Sequence, residues 1–394
     1  MQPDFSEVES LISPCINAGA LRLVSGKERA IDLVRRFSQS SAEVHQRIAA
    51  AVYSNNAWRE GLEAEDWPIL EELSSSAFWS VRFALLEALR WIQTEDRPIT
   101  PDDAARALML LFEMEVAGNV EVAEGWAGLF AGYHPTFPLK NLNDNQCRLI
   151  LERLEGVPNI DYHSLKSTLV ALSERLPVEV VQWLLRRFDY TDPNFEPVPY
   201  AHFRDNLGHG PSYDLKGLAK SPDYLNLLRE VRSHALGADG RKSFFLPSLF
   251  EMLSLNYGPE GLQVLEEWID EAERHSDAAK LQGVGLLLRE ASRGFAYAQV
   301  SFVSRLLSVA EGISDDALQT VRGDIYSSMT SGLIQSTPLQ PAPVHVNQRD
   351  QCLRIAQELP PGSAEREFYE SMSRDAEQMI AHELKRDEEL DDEH

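Results

Sequence analysis

The densest gathering of groups able to do chemistry lies in residues 189–222, DYTDPNFEPVPYAHFRDNLGHGPSYDLKGLAKSP. Within it His202, Arg204, Asp205, His209, Tyr213, Asp214 and Lys216 bring together two imidazoles, two carboxylates, a phenol and two cations. Imidazoles ligate metals when neutral and carry protons near neutral pH. A seven-residue spacing between His202 and His209, with no third ligand in a recognised pattern, does not make a metal site. Two readings remain: a binding or regulatory segment, or a folded insertion whose polar groups satisfy its own backbone. Tyr190, Phe195, Tyr200, Phe203 and Tyr213 need somewhere to pack, so the segment is expected to fold over the body of the protein.

Elsewhere the motifs of catalysis are missing. There is no phosphate-binding GxxxxGK[ST] loop, no GxSxG elbow and no HExxH pair. His382-Glu383 begins a zinc-like motif, but Arg386 stands where the second histidine would be. Gly283 and Gly285 lack the third glycine and preceding strand of a dinucleotide site. Cys15, Cys147 and Cys352 lie far apart with no CxxC pair, which suits reduced thiols. No catalytic residue, metal or cofactor is predicted.

The elements that would position any site are helices. The chain is leucine-rich and threonine-poor, a balance that favours helix over strand. In FWSVRFALLEALRWI, Phe78, Val81, Leu85, Leu89 and Ile92 fall on one face, with Ser80, Arg82, Glu87 and Arg90 largely opposite. Before it, DWPILEELSSS reads as a shorter helix capped by Asp66 with Pro68 in its first turn. Similar pairs recur at 101–116 with 119–133, and at 143–156 with 161–176 and 177–188. After the irregular segment come 244–255, 258–275, 277–292, 298–312 and 315–333. Hairpins starting near Asp66, Asp102 and Asn143 have the spacing of a helical repeat of about 40 residues. Trp58, Trp67, Trp79, Trp91 and Trp126 gather in one third of the chain. Trp91 falls one step off the apolar face and is expected to be partly exposed, a candidate contact for a partner, whereas the others are assigned to packing.

SVRFALLEAL at 80–89, with weaker echoes in TVRGDIYSSM at 320–329 and EVRSHAL at 230–236, resembles the HEAT and armadillo-type repeats. The resemblance extends over roughly residues 26–333 and implies an all-α fold: a HEAT-like α-solenoid of stacked helical hairpins. Proteins of that kind mostly bind other proteins along a curved surface. The expected organisation is N-terminal repeats at 1–188, the irregular insertion at 189–222 and further repeats at 223–335. A Pro-rich linker at 336–348, C-terminal helices at 349–386 and an acidic tail at 387–394 follow. Along the last helix Ala364, Phe368, Met372, Ala376, Ile380 and Leu384 recur every four residues, widened by Tyr369 and Met379. Such a stripe either caps the array or docks in a partner's groove, and solenoids require the cap.

Composition narrows the function. A net charge of −25 opposes general binding to nucleic acid or to an anionic membrane surface. Six of the acids sit in the last eight residues, which leaves the body itself acidic. No apolar run approaches the ~18 residues of a membrane span, and the N-terminus lacks a secretory pattern, so a cytoplasmic location is expected. The leading expectation is a non-catalytic scaffold or adaptor for a basic protein partner. Two alternatives stand beside it. One is a regulatory subunit or protease substrate in a bacterial stress or antiviral defence system, with the linker at 336–348 as the processing or release point. The other is an enzyme or metal-binding protein that uses the 189–222 loop.

Overall fold

The computed structural model describes residues 27–54, 62–92, 99–160, 162–190, 192, 195, 215–292, 294–330 and 340–392. Every regular element among the described residues is helical. The chain divides between Ser221 and Pro222 into two compact units. No helix among the described residues is long and apolar enough to cross a membrane.

The first unit contains α1 (Lys27–Ser38), α2 (Glu43–Ser54), α3 (Trp67–Ser74), α4 (Trp79–Arg90), α5 (Pro101–Glu113), α6 (Val120–Gly128), α7 (Asp144–Leu154), α8 (His163–Arg175) and α9 (Pro177–Arg186). Short polar side chains start several of them. Thr100 and Asn119 accept backbone N–H bonds at the heads of α5 and α6, and Asn143 with Gln146 forms a capping box on α7. Asp66 does not cap α3 as predicted. Its carboxylate is buried and accepts instead from the Tyr53 hydroxyl at 3.1 Å and the Glu63 N–H at 2.8 Å. Pro68 lies in the first turn of α3, where its missing N–H is harmless.

Within this unit each helix packs on the next but one. α1, α3, α5, α7 and α9 form one series of neighbours, and α2, α4, α6 and α8 the other, ending on a 3₁₀ turn at Lys216–Lys220. The alternation explains a departure from the sequence pattern of α4. Val81, Leu85, Leu89 and Ile92 are buried as expected, yet so are Ser80 and Arg82. A helix flanked by α2, α3 and α6 is covered on more than one face, so a one-sided stripe underestimates its burial. Ion pairs tie α7 and the residue after it to both following helices: Arg148 with Glu179 and Arg186 with Glu155 join it to α9, and Arg175 of α8 bonds Asp144.

The second unit contains α10 (Tyr224–Ser233), α11 (Gly240–Leu253), α12 (Pro259–His275), α13 (Ala278–Leu287), α14 (Phe295–Ala298), α15 (Val300–Ile313), α16 (Asp315–Thr330), α17 (Pro343–Glu358) and α18 (Ala364–Asp392). Here α10, α12, α15 and α18 are successive neighbours, as are α11, α13 and α16, and α17 pairs with α18. Helix α13 touches α11, α12, α15 and α16. That is why it is apolar all round from Gly283 to Leu287, with its polar Lys280 and Gln282 confined to the first half. Its two glycines set the approach distances. A Cβ on Gly283 would lie 2.7 Å from the Trp268 ring of α12, and one on Gly285 would lie 2.8 Å from the Asp324 carboxylate of α16. The GVG run is therefore a packing notch.

Between α11 and α12, Leu255, Asn256 and Tyr257 all have positive φ, a left-handed turn that side chains resist. Buried Tyr257 holds it, with its hydroxyl donating to the Leu287 carbonyl at 2.7 Å. Two boundaries differ from the sequence reading. α17 begins at Pro343, inside the expected linker, because a proline is tolerated in a first helical turn. The rest of that linker, up to 339, lies outside the described residues. α18 continues to Asp392, so most of the expected acidic tail is helical in backbone.

Replacing Gly283 by Ala should lower stability by about 2 kcal/mol, because the methyl group must displace a packed indole. Urea denaturation followed by circular dichroism reads this directly. A midpoint equal to the wild type would mean that the α12–α13 approach is looser than described.

Candidate protein-interaction surface

One region of the first unit leaves large side chains in solvent among closely packed helices. Trp91, the residue after α4, is 62% exposed, and Tyr133, in the bend after α6, is 83% exposed. Tyr162, just before α8, is 40% exposed. Packing of α4, α6 and α8 in one series brings the three segments together. The Thr136 hydroxyl donates to the Arg90 carbonyl at 3.0 Å, tying the end of α4 to the segment after α6. A Cβ on Gly128 would lie 3.4 Å from the Arg90 guanidinium and 3.3 Å from the Ser164 hydroxyl, so Gly128 makes room for both. The Tyr133 ring stacks on His163 at 4.8 Å between centroids, tilted by 13°.

The supporting groups are immobilised. The Glu124 carboxylate accepts from the Ser164 N–H at 2.8 and 3.1 Å and from the Leu165 N–H at 3.0 Å. It thereby fills the N-terminus of α8, where unpaired donors and the helix dipole favour an anion. Arg90 pairs with Glu87 at 3.2 Å. The result is an aromatic surface on a hydrogen-bonded backbone, its Arg90 paired with a carboxylate, of the composition typical of binding hot spots.

The other predicted residues are distributed as follows. His202, Arg204, Asp205, His209, Tyr213 and Asp214 lie outside the described residues. Lys216 is exposed at the start of the 3₁₀ turn that closes the second series. The head of the insertion is anchored: Phe195 is buried, stacks on Tyr190 at 4.3 Å and covers the Arg187 guanidinium at 4.3 Å. Of the tryptophans, Trp67 and Trp126 are buried and Trp79 is half-buried, whereas Trp58 lies outside the described residues. Phe368, Tyr369 and Met372 are buried, and the Tyr369 hydroxyl donates to the Ala296 carbonyl at 2.9 Å. The stripe on α18 therefore docks on its own unit. Burial then fades through half-buried Ile380 to exposed Leu384, as a four-residue repeat on a 3.6-residue helix must.

Several groups that a catalytic reading would use are engaged in contacts within the fold. Glu383, the acid of the partial zinc motif, is buried, accepts from the Ala342 N–H at 2.9 Å and lies 3.0 Å from Nδ1 of His345. Among the described residues no group of three or more His, Cys, Asp and Glu side chains is placed to hold a metal. Burial pushes the Cys352 thiol up to about 12 and also raises Cys147, which suppresses the thiolate needed for nucleophilic attack. Burial raises the Asp324 carboxyl as well, opposed by the Arg289 guanidinium at 2.7 Å.

Sequence reasoning expected Trp91 to be exposed, as it is, and did not single out Tyr133, Tyr162 or His163. A clue was available: GYHPTF at 132–137 and the DYH triplet at 161–163 put tyrosines beside a proline and a helix start, outside any helical apolar stripe, although Phe137 of the first stretch is buried. Comparison of the chain with protein-family models, with curated proteins and with solved structures gave no match. The site therefore rests on its own geometry.

Two outcomes follow from the buried groups. With a folded-state pKa above the unfolded value, ionised Asp324 costs stability at high pH, and that cost vanishes once it is protonated. Arg289→Ala should thus lose about 2 kcal/mol at pH 7, discounted because Arg289 is partly exposed, and the deficit should shrink as pH falls toward 4. Chemical denaturation across that range checks the sign; a constant deficit would assign the loss to packing alone. Separately, Cys147 and Cys352 should resist iodoacetamide in the native protein at pH 8 and react fully in urea, as read by peptide mass spectrometry.

Proposed function

We propose that this chain is a non-catalytic scaffold or adaptor, a HEAT-like solenoid that binds a protein partner on its helical surface. One observation carries the reading: Trp91, Tyr133 and Tyr162 stand exposed together on a backbone held by hydrogen bonds and close packing. Large aromatics in solvent gain little in an isolated protein, and a partner that covers them recovers their apolar area without having to order them first. The next-but-one packing of helices supports the solenoid part, since stacked hairpins place equivalent helices side by side. Arginines from the three repeat-like segments support it too. Arg82 donates to the Ser76 carbonyl, Arg232 to the Val264 carbonyl and Arg322 to the Ala364 carbonyl. The acidic body favours a basic partner through long-range attraction. Buried, unpaired thiols at Cys147 and Cys352 suit a reducing, cytoplasmic setting.

The test is affinity capture from the native host with tagged wild type and with a Trp91→Ala/Tyr133→Ala double variant. A specific partner should be recovered with the wild type and fall at least about tenfold with the variant, since hot-spot truncations cost more than 1 kcal/mol each. Circular dichroism melting should be unchanged, because both side chains are exposed. Equal recovery of every partner by both proteins would remove the surface from the proposal.

A further inference from the structure

We infer that the Trp91–Tyr133 surface receives an arginine-bearing extended segment of its partner, guanidinium planes stacking on the two aromatic rings. This deepens the scaffold reading and rests on it. Three observations point to that occupant.

The first is the state of the rings. One face of Tyr133 lies on His163 at 4.8 Å, which orients the phenol, while the residue keeps 83% of its surface in solvent. Trp91 keeps 62%. An open aromatic face carries a negative quadrupole and attracts a cation placed within ~6 Å of its centroid. Arg90, the nearest cation in sequence, is occupied by Glu87 at 3.2 Å and by the recess at Gly128.

The second is charge. A body carrying most of a −25 net charge draws cationic segments toward its surface and disfavours acidic ones. Beside Trp91 the Arg90 cation is paired with the Glu87 carboxylate, so the nearest positive charge is offset locally.

The third is that the choice of arginine over lysine has a structural basis which this chain itself uses in several places. Arg187 lies 4.8 Å from the Trp183 ring and 4.3 Å from that of Phe195. Arg232 lies 4.7 Å from the Trp268 ring, and Arg106 lies 5.8 Å from that of Trp67. A planar, weakly hydrated guanidinium stacks flat on a ring, whereas an ammonium remains a strongly hydrated point charge. The surface thus offers an incoming arginine the same kind of ring contact, made at the solvent boundary rather than in a core.

The experiment uses the full chain and fluorescein-labelled peptides alternating glycine with arginine, lysine or glutamate, followed by fluorescence anisotropy at about 50 mM and 150 mM salt. The arginine peptide should bind more tightly than the lysine peptide, and the glutamate peptide should not bind. Trp91→Ala/Tyr133→Ala should weaken the arginine peptide by about fivefold or more at both salt concentrations, two exposed cation–π contacts being worth that much. Phe244→Ala, an exposed aromatic of the second unit, should leave binding unchanged. Equal binding of arginine and lysine peptides, or equal binding by wild type and double variant, would overturn the assignment, because either result means attraction to net charge alone. A partner captured through the surface while no arginine peptide binds it would likewise reject the arginine occupant and leave the scaffold reading in place.

Discussion

Arg187 holds a guanidinium wholly out of water between helices, and the first unit is organised around that charge. Two of its nitrogens donate to the Val157 carbonyl at 2.9 and 3.0 Å, and the rings of Trp183 and Phe195 lie against it. Removing such an ion from water is expensive, so it persists only where its donors are used and its flat faces are covered. Satisfying it joins the end of α9, the turn after α7 and the head of the insertion in one contact. Buried Arg82 and Arg232 and half-buried Arg322 use part of the same device, each giving a guanidinium nitrogen to a backbone carbonyl of another helix or turn. Hydrophobic burial between helices tolerates sliding, because it has no direction. A buried charge bonded to one carbonyl does not.

A surface with fixed register can present side chains at fixed separations. The exposed aromatics of the first unit stand on segments whose backbones are fastened by Thr136 and Glu124, and the room they need is kept by Gly128. A partner meeting that surface orders few side chains on arrival, which is how a modest patch becomes an effective one. In the second unit the apolar groups of α18 have gone inward, with Tyr369 bonded to the Ala296 carbonyl. A helix so committed closes its unit.

Much of this was written in the chain. The 3.6-residue recurrence of apolar residues dictated helices through 67–90, 101–128, 144–186 and 244–330, whereas α1, α2 and α10 were not singled out. The four-residue stripe on α18 was legible as an apolar face, and its Phe368, Tyr369 and Met372 are buried. Errors arose where a residue's local options were several. Asp66 has the composition of a cap but bonds Tyr53 and Glu63 instead, since a buried tyrosine hydroxyl elsewhere in the chain needed an acceptor. Arg82 has the position of a solvent residue and is buried, since α4 has neighbours on several sides.

By itself, the sequence determined the helices, their approximate ends, the acidic field and the absence of recognised catalytic motifs, because periodicity, capping and charge are local or additive properties. The tertiary structure alone decided which exposed aromatics share a surface, which arginines are buried and what the glycines of α13 are for. Those depend on segments tens of residues apart meeting at atomic distances. Trp91 could be singled out from one helix's pattern. That Tyr133 and His163 stand stacked nearby is a consequence of how α4, α6 and α8 pack, and no spacing along the chain encodes it.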